Sequence, residues 1–343
     1  MDARERACMV RKSSRGGAER EEVEGGGGFW YDGGMKENFS VVVPEELAGL
    51  RADAALLALC PFSSRRAVAK AFGDGAVAWD GTGAVCAKGE RVRAGAALRV
   101  ARLYEQGDLR VVPEPDAPLE VVYEDAWLVG VCKRAGQDCH PLDFGERGTL
   151  AGALVARYPE MAGIGDDPLA PALLHRIDGG TSGLVLAART REAYAAVRAQ
   201  FEGQTVAKEY LAIVEGRVAK PGAVSGFLAH SYRGGEMRMV AAAPGHHGAR
   251  ALKAETFYRP LRPEGGGTLL SVTIRTGVTH QIRSQLASIG HPVAGDVLYG
   301  AKPDSAWRAG THALHSWKAA LVHPGTGRRV EIVAPWVALR DGV

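Results

Sequence analysis

The densest polar group set in apolar sequence runs from Leu173 to Leu186, Leu-Leu-His-Arg-Ile-Asp-Gly-Gly-Thr-Ser-Gly-Leu-Val-Leu. His175, Arg176 and Asp178 are followed by three glycines and two hydroxyls, then by a strand-like run, a common way for a scaffold to present a carboxylate from a rigid loop. An Asx-turn, in which Asp178 only satisfies backbone donors, competes with that reading. A second group, Arg275 to Leu286, reads Arg-Thr-Gly-Val-Thr-His-Gln-Ile-Arg-Ser-Gln-Leu. Thr279 is the expected N-cap of a helix whose apolar stripe is Ile282, Leu286 and Ile289, ended by Gly290. Arg283 then falls in the first or second turn, where the helix dipole offers a cation nothing. That placement asks for an external carboxylate or phosphate; an exposed Arg with a snorkelling stem is the plainer alternative. Between the two groups, alternation along Lys208 to Val214 puts Lys208 and Tyr210 on one face of a strand and Glu209 on the other. A Tyr there serves equally as core filling.

The chemistry these residues offer needs no cofactor of a recognisable kind. No GxGxxG or Walker-type loop stands at a strand-helix junction. The pairs His140-Pro141, His291-Pro292 and His323-Pro324 lack helical or hairpin ligand spacing, so structural histidines are expected and no metal. Cys8, Cys60, Cys86, Cys132 and Cys139 are odd in number and scattered, which fits reduced thiols.

The surrounding elements must position these groups. The 343 residues carry 42 Lys and Arg against 39 Asp and Glu, a net charge of +3, with 46% hydrophobic and 24% charged residues. That balance excludes both a disordered polyelectrolyte and a protein that holds nucleic acid by bulk charge. No apolar run approaches the ~20 residues that span a bilayer and no signal peptide opens the chain, so a cytoplasmic protein is expected, monomeric by default. Residues 1–38 hold 7 basic and 8 acidic residues and the run Gly25 to Gly28. They read as a disordered leader, with Met35 the expected native start. Residues 39–105 form a small α+β module: helices over Leu50 to Leu59 and after Ser63 or Ser64, where Val68 and Phe72 pair, then strands Ala76 to Trp79 and Ala97 to Val100. Arg65, Arg66 and Lys70 share the second helix with no acid among them, which suits phosphate contact or simple solubility. Residues 106–117 are a proline-interrupted linker. Residues 118–337 carry strand-like runs (Glu120 to Tyr123, Leu128 to Cys132, Leu184 to Ala188, Tyr210 to Val214, Leu269 to Ile274, Arg329 to Val333) and two or three helices, and 338–343 a tail. The expected class is α+β, a small module followed by a large mixed or antiparallel sheet rather than a doubly wound fold.

Taken together, the motifs resemble a known family. His175 to Leu184 resembles the HR-L-D-x-x-TSG signature of RluA-type RNA pseudouridine synthases. Lys208-x-Tyr210 and Gly277-x-Thr279-His280-Gln281-Ile282-Arg283 are similar to that family's two further active-site motifs, in the same order. Gly295-Asp296, Tyr299-Gly300 and Leu314-His315 to His323-Pro324 extend the likeness over roughly Pro118 to Pro335. The N-terminal module, with Leu50-Arg51-Ala52-Asp53 and Ser64-Arg65-Arg66, resembles the ribosomal protein S-four-like RNA-binding domain.

The resemblance implies an isomerase that flips a uridine out of structured RNA, large-subunit ribosomal RNA ahead of transfer RNA, and converts it without a cofactor. It implies that Asp178 is the nucleophile, that Arg283 keeps that carboxylate ionised and aligned, and that Tyr210 packs on the base and helps move the proton on carbon five. Arg176 would fill the gap left in the RNA, with His175, Thr181, His280 and Gln281 around the substrate and Arg65, Arg66 and Lys70 as docking cations. Two departures stand out. Lys133-Arg134-Ala135-Gly136 lacks the proline usual after the lysine, and Val278 replaces a usual Arg. They keep open a catalytically weakened RNA-binding or ribosome-assembly factor with the same fold. A carboxylate glycosidase fits less well, for want of a second catalytic carboxylate. Residues 63–102 sum to +5, leaving −2 for the rest, so a small basic docking module and few phosphate contacts are expected.

Overall fold

The computed structural model describes residues 35–61, 63–104, 110–142, 145–233, 236–243, 251–303 and 309–336. The expected leader up to residue 34, most of the linker's first half and the 338–343 tail lie outside them. The chain divides into two compact units, Met1–Arg110 and Val111–Val343.

In the first unit a three-stranded antiparallel sheet has the order β1 (Met35–Val42), β3 (Ala97–Tyr104), β2 (Val77–Trp79). Strand β1 begins four residues before the expected Phe39. Met35 pairs Tyr104 and Lys36 pairs Leu103, because a backbone ladder needs no apolar side chains to continue. Helix α1 (Ala52–Leu59) starts two residues later than expected, and α2 (Arg65–Gly73) is capped by Ser64, whose hydroxyl accepts from the Ala67 N–H at 3.1 Å. Val68 and Phe72 are buried on one face of α2, as their i, i+4 spacing requires.

The second unit is built on one ten-stranded sheet. Its order is β4 (Val121–Glu124), β5 (Leu128–Lys133), β6 (Ser182–Ala188), β12 (Leu314–Val322), β7 (Ala207–Glu215), β11 (Gly267–Ile274), β10 (Leu252–Glu264), β8 (Gly222–Arg233), β9 (Glu236–Ala242). Strand β13 (Arg329–Val333) pairs β12. Every pairing is antiparallel except the short parallel contact of β6 with β12. All seven residues of β6 are buried, which explains its unbroken small and apolar composition. Helices α3 (Leu150–Arg157) and α4 (Arg191–Glu202) are capped by Thr149 and Thr190. Helix α5 (Gln281–Ser288) packs on β8, β9 and β10. This is the α+β class expected, with four strands, β8, β9, β10 and β12, beyond the six runs read from sequence. Among the described residues no helix is long and apolar enough to cross a membrane.

The contact of β6 with β12 depends on Gly183, which pairs Ser316 with a φ of +103°. A Cβ there would meet the Ser316 carbonyl oxygen and the amide behind it. Gly183→Ala is therefore expected to destabilise the protein by about 3 kcal/mol, from backbone strain and overpacking together. Thermal unfolding followed by circular dichroism should show a Tm roughly 6–12 °C lower; an unchanged Tm refutes this account.

Candidate active site

Asp178 is presented by the loop between Leu174 and β6. The loop's ends are tied by Leu174 and Leu186, whose backbones hydrogen-bond at 3.0 Å, and its turn by the Thr181 N–H donating to the Asp178 carbonyl at 3.0 Å. Beneath it lies Lys133, the last residue of β5 and only 1% exposed. Its Nζ donates to the carbonyls of Arg134 at 2.9 Å, Gln137 at 2.6 Å and Gly179 at 3.0 Å, which uses all three ammonium donors. Burial pulls its pKa down to about 8, so it still carries its charge at neutral pH.

The carboxylate itself meets Arg283. Nη1 of Arg283 donates to Asp178 Oδ2 at 3.0 Å, while Nε and Nη2 donate to Asp296 at 2.6 and 2.9 Å. Asp296 thus takes one edge of the fork in the bidentate geometry guanidinium favours and leaves the other edge aimed at Asp178. Burial works against the Arg283 charge, but Asp296 and then Asp178 outweigh it and hold the guanidinium above its ordinary pKa. The Tyr299 ring lies 5.2 Å from that guanidinium, a cation-π distance. Asp178 Oδ1 accepts no hydrogen bond from the described residues, and the side chain is 24% exposed. The Asx-turn reading of Asp178 therefore fails, because no backbone N–H donates to its carboxylate among the described residues.

Asp178, Arg176, His175, Thr181, Tyr210, His280, Gln281 and Arg283 line one cleft of about 1310 Å³. The cleft brings together both polar groups and the strand picked out from sequence, but their side chains divide by what they bond. Tyr210 is buried, and burial followed by the Asp178 charge pushes its hydroxyl pKa well up, keeping the phenol protonated. Arg176 is exposed, with Nη1 at 2.8 Å from His140 Nε2. His280 Nε2 stands 4.0 Å from Asp178 Oδ2, and desolvation lowers its pKa.

Three others are committed internally. His175 Nε2 accepts from the Leu186 N–H at 3.1 Å. Thr181 Oγ1 is 2.8 Å from His312 Nε2. Gln281 accepts from Thr276 Oγ1 at 2.7 Å and Val278 N at 3.2 Å, and donates to the Glu255 carbonyl and Thr256 Oγ1. Arg65, Arg66 and Lys70 belong to the other unit. Arg65 and Arg66 are exposed there, while Lys70 pairs with Asp74 at 3.4 Å, an acid the sequence reading left out of the helix.

Two details of α5 differ from expectation. The N-cap is His280, in the left-handed region at φ +50°, not Thr279; the Gln281 amide, rather than a hydroxyl, accepts the Val278 N–H at 3.2 Å. The helix ends at Ser288 and leaves Ile289 exposed, so only Ile282 and Leu286 of the stripe are buried. Arg283 still sits in the first turn. Sequence reasoning missed Asp296, Tyr299, Lys133 and His312 as site residues. Only the unpaired-looking cation at a helix start asked for an anion, and the structure supplies two. Of the histidines before proline, His323 Nε2 bonds Asp125 at 2.7 Å and His291 Nδ1 lies 2.9 Å from the Glu215 carbonyl, away from the cleft, whereas His140 lines the cleft with its Nε2 against Arg176. Among the described residues no group of His, Cys, Asp and Glu could hold a metal ion.

Burial holds His312 and His315 neutral, each with its pKa pushed down to about 4. The unfolded chain takes up these protons near its ordinary pKa of about 6.5 and the folded chain does not. Stability from this source is therefore full above pH ~6.5 and lost as the pH falls towards ~4, about 1.4 kcal/mol per unit of separation for each ring. Denaturant unfolding across that range should show a loss of several kcal/mol; a flat profile contradicts it.

A family model described as RNA pseudouridylate synthase matches residues 128–288. The chain is 34% identical over 305 residues to a ribosomal large subunit pseudouridine synthase D of Nitrosomonas europaea, covering 86% of this chain and 84% of that one. It is 34% identical over 301 residues to an uncharacterized RNA pseudouridine synthase of Mycobacterium bovis, covering 87% and 94%. With the synthase D of Pseudomonas aeruginosa it shares 33% over 306 residues, covering 85% and 90%. With a third of its residues shared along most of each relative, and a family match that takes in Asp178, Tyr210 and Arg283, the chain belongs to the RNA pseudouridine synthase family.

Proposed function

We propose that this protein isomerises uridine in large-subunit ribosomal RNA, with Asp178 as the nucleophile. The observation that carries the reading is the carboxylate's position in the cleft: one oxygen is fixed by Arg283 and the other is open to a substrate. The ribosomal target rests on the likeness to the ribosomal large subunit pseudouridine synthases D of Nitrosomonas and Pseudomonas. The reaction breaks the bond from ribose C1′ to uracil N1 and makes one from C1′ to C5; the C5 hydrogen leaves as a proton and N1 gains one, so composition is unchanged. A nucleophile and a proton path suffice.

The chain's residues divide that work. Asp178 attacks with Oδ1 while Arg283 holds Oδ2. Tyr210, its phenol kept protonated, packs on the base; once the C1′–C5 bond forms, the released Asp178 carboxylate takes the C5 proton, and N1 gains a proton from solvent. Arg176, exposed at the cleft, enters the gap left by the flipped nucleotide. In the first unit, read as the S-four-like module, Arg65 and Arg66 on the exposed side of α2 contact phosphates, and Lys70 contributes less because Asp74 already pairs it. The protein works as a cytoplasmic monomer on RNA, without cofactor or membrane. The rival reading, a non-catalytic assembly factor, draws on Val278 and Arg134. Here Val278 packs with Leu228, Met239 and Ala254, and the Asp178, Arg283 and Asp296 array is intact beside it.

Asp178→Asn should abolish pseudouridine formation in an unmodified ribosomal RNA transcript while leaving RNA binding within about twofold. Normal turnover in that variant ends the nucleophile assignment. Asp296→Asn, at a residue that is buried and does not line the cleft, should lower kcat by about tenfold to a hundredfold with KM little changed, since it frees the guanidinium that fixes Asp178. A change confined to KM argues against this positioning role.

A further inference from the structure

Arg238 lies on β9, the edge strand of the large sheet, and its residue does not line the Asp178 cleft. Its Nε is buried and has no hydrogen-bond partner among the described residues. Buried donors without acceptors are rare in native proteins, and charged ones are the costliest to leave open. Among the described residues no hydrogen bond or ion pair spends the Arg238 side chain, so the outer nitrogens of its guanidinium are left for an acceptor from outside.

The surroundings say what kind of acceptor. Arg238 lines a pocket of about 390 Å³ whose other walls are Met239, Val240, Val297, Leu298, Tyr299 and Gly300. No acid is among them, so no carboxylate of those walls competes for the guanidinium. Val297 is 61% exposed and Val240 is also exposed, so an apolar rim faces solvent beside the cation. A guanidinium fork above apolar walls suits a phosphate attached to a sugar better than a small inorganic anion, which would leave the walls unused. Tyr299 links this pocket to the reaction centre. Its hydroxyl accepts from the Met239 N–H at 2.7 Å and lies 3.0 Å from His280 Nδ1, and its ring is 5.2 Å from the Arg283 guanidinium.

We infer that this pocket is a phosphodiester subsite: Arg238 grips a phosphate of the RNA strand beside the flipped uridine, and Val240 and Val297 pack on the neighbouring ribose. The inference rests on the RNA-modifying function proposed above. Through Tyr299, a strand held here is registered against the residues that hold Asp178.

The test compares wild type, Arg238→Met and Arg238→Lys in binding an unmodified large-subunit ribosomal RNA transcript across a KCl series. Arg238→Met should weaken binding by about tenfold and make the slope of log affinity against log salt shallower by about 0.7–0.9, the loss of one phosphate contact. Arg238→Lys keeps the charge without the fork, so it should keep the wild-type slope and recover part of the affinity. The Tm of Arg238→Met without RNA should not fall, because no internal hydrogen bond is removed. A wild-type slope in Arg238→Met overturns the subsite, and so does weaker binding accompanied by a lower Tm, which marks a structural role. A wild-type enzyme that leaves the transcript's uridines unconverted counts against the proposed function instead, and the slope comparison still decides the subsite.

Discussion

Burying Arg283 at 7% exposure would cost several kcal/mol if its charge were unmatched. The start of α5 cannot match it, since the helix dipole presents its positive end there. Two carboxylates do so, and they differ in kind. Asp296 is 2% exposed and accepts two hydrogen bonds, so it fixes the plane and direction of the guanidinium; Asp178 is part-exposed and accepts one. The buried pair orients the cation, and the cation orients the carboxylate that faces the cleft. Much of the unit serves this arrangement: β8, β9 and β10 carry α5, and the short Val297–Tyr299 turn brings the Tyr299 ring against the guanidinium.

The loop that holds Asp178 is fixed from the other side. Where the family resemblance leads one to expect proline after the lysine, this chain has Arg134. The turn is closed instead by hydrogen bonds, from Gly136 N–H to the Gly179 carbonyl at 2.8 Å and from Lys133 Nζ to three carbonyls. A stiff ring in the backbone and a charged side chain saturated by carbonyls both restrict a turn, the first through the unfolded state and the second through the folded one. The departure at Arg134 thus leaves the Asp178 loop tethered.

The parts of this structure legible in the sequence were those where local chemistry contradicted its surroundings. An arginine at the wrong end of a helix dipole pointed to an anion, and a carboxylate before three glycines pointed to a presented group. The two meet at 3.0 Å across 105 positions of sequence. Asp296 was not legible as a site residue because a single acid in a loop has no spacing that names its partner. Strand β10 was hidden by Pro260 and Pro263, which the sheet accommodates with a register shift between Pro260 and Arg262. Strand β8 mixes glycine and polar residues, so its place comes from its neighbours rather than from its own pattern. The cap of α5 was misplaced by one residue because only the fold sets the left-handed turn at His280.

The order of the central strands bears on how the protein comes to be made. Asp178 precedes β6 and Tyr210 lies on β7, and the strand between these two in the sheet is β12, ending at Val322. On a ribosome, where chains grow at about 5–20 residues per second, both flanks of the site emerge long before the strand that joins them. The nascent chain must keep β6 and β7 from pairing with each other or with foreign edges until β12 arrives, and such late, non-local strand insertion is slow and exposes aggregation-prone edges. The cleft is therefore complete only after β12 has emerged behind both of its flanks.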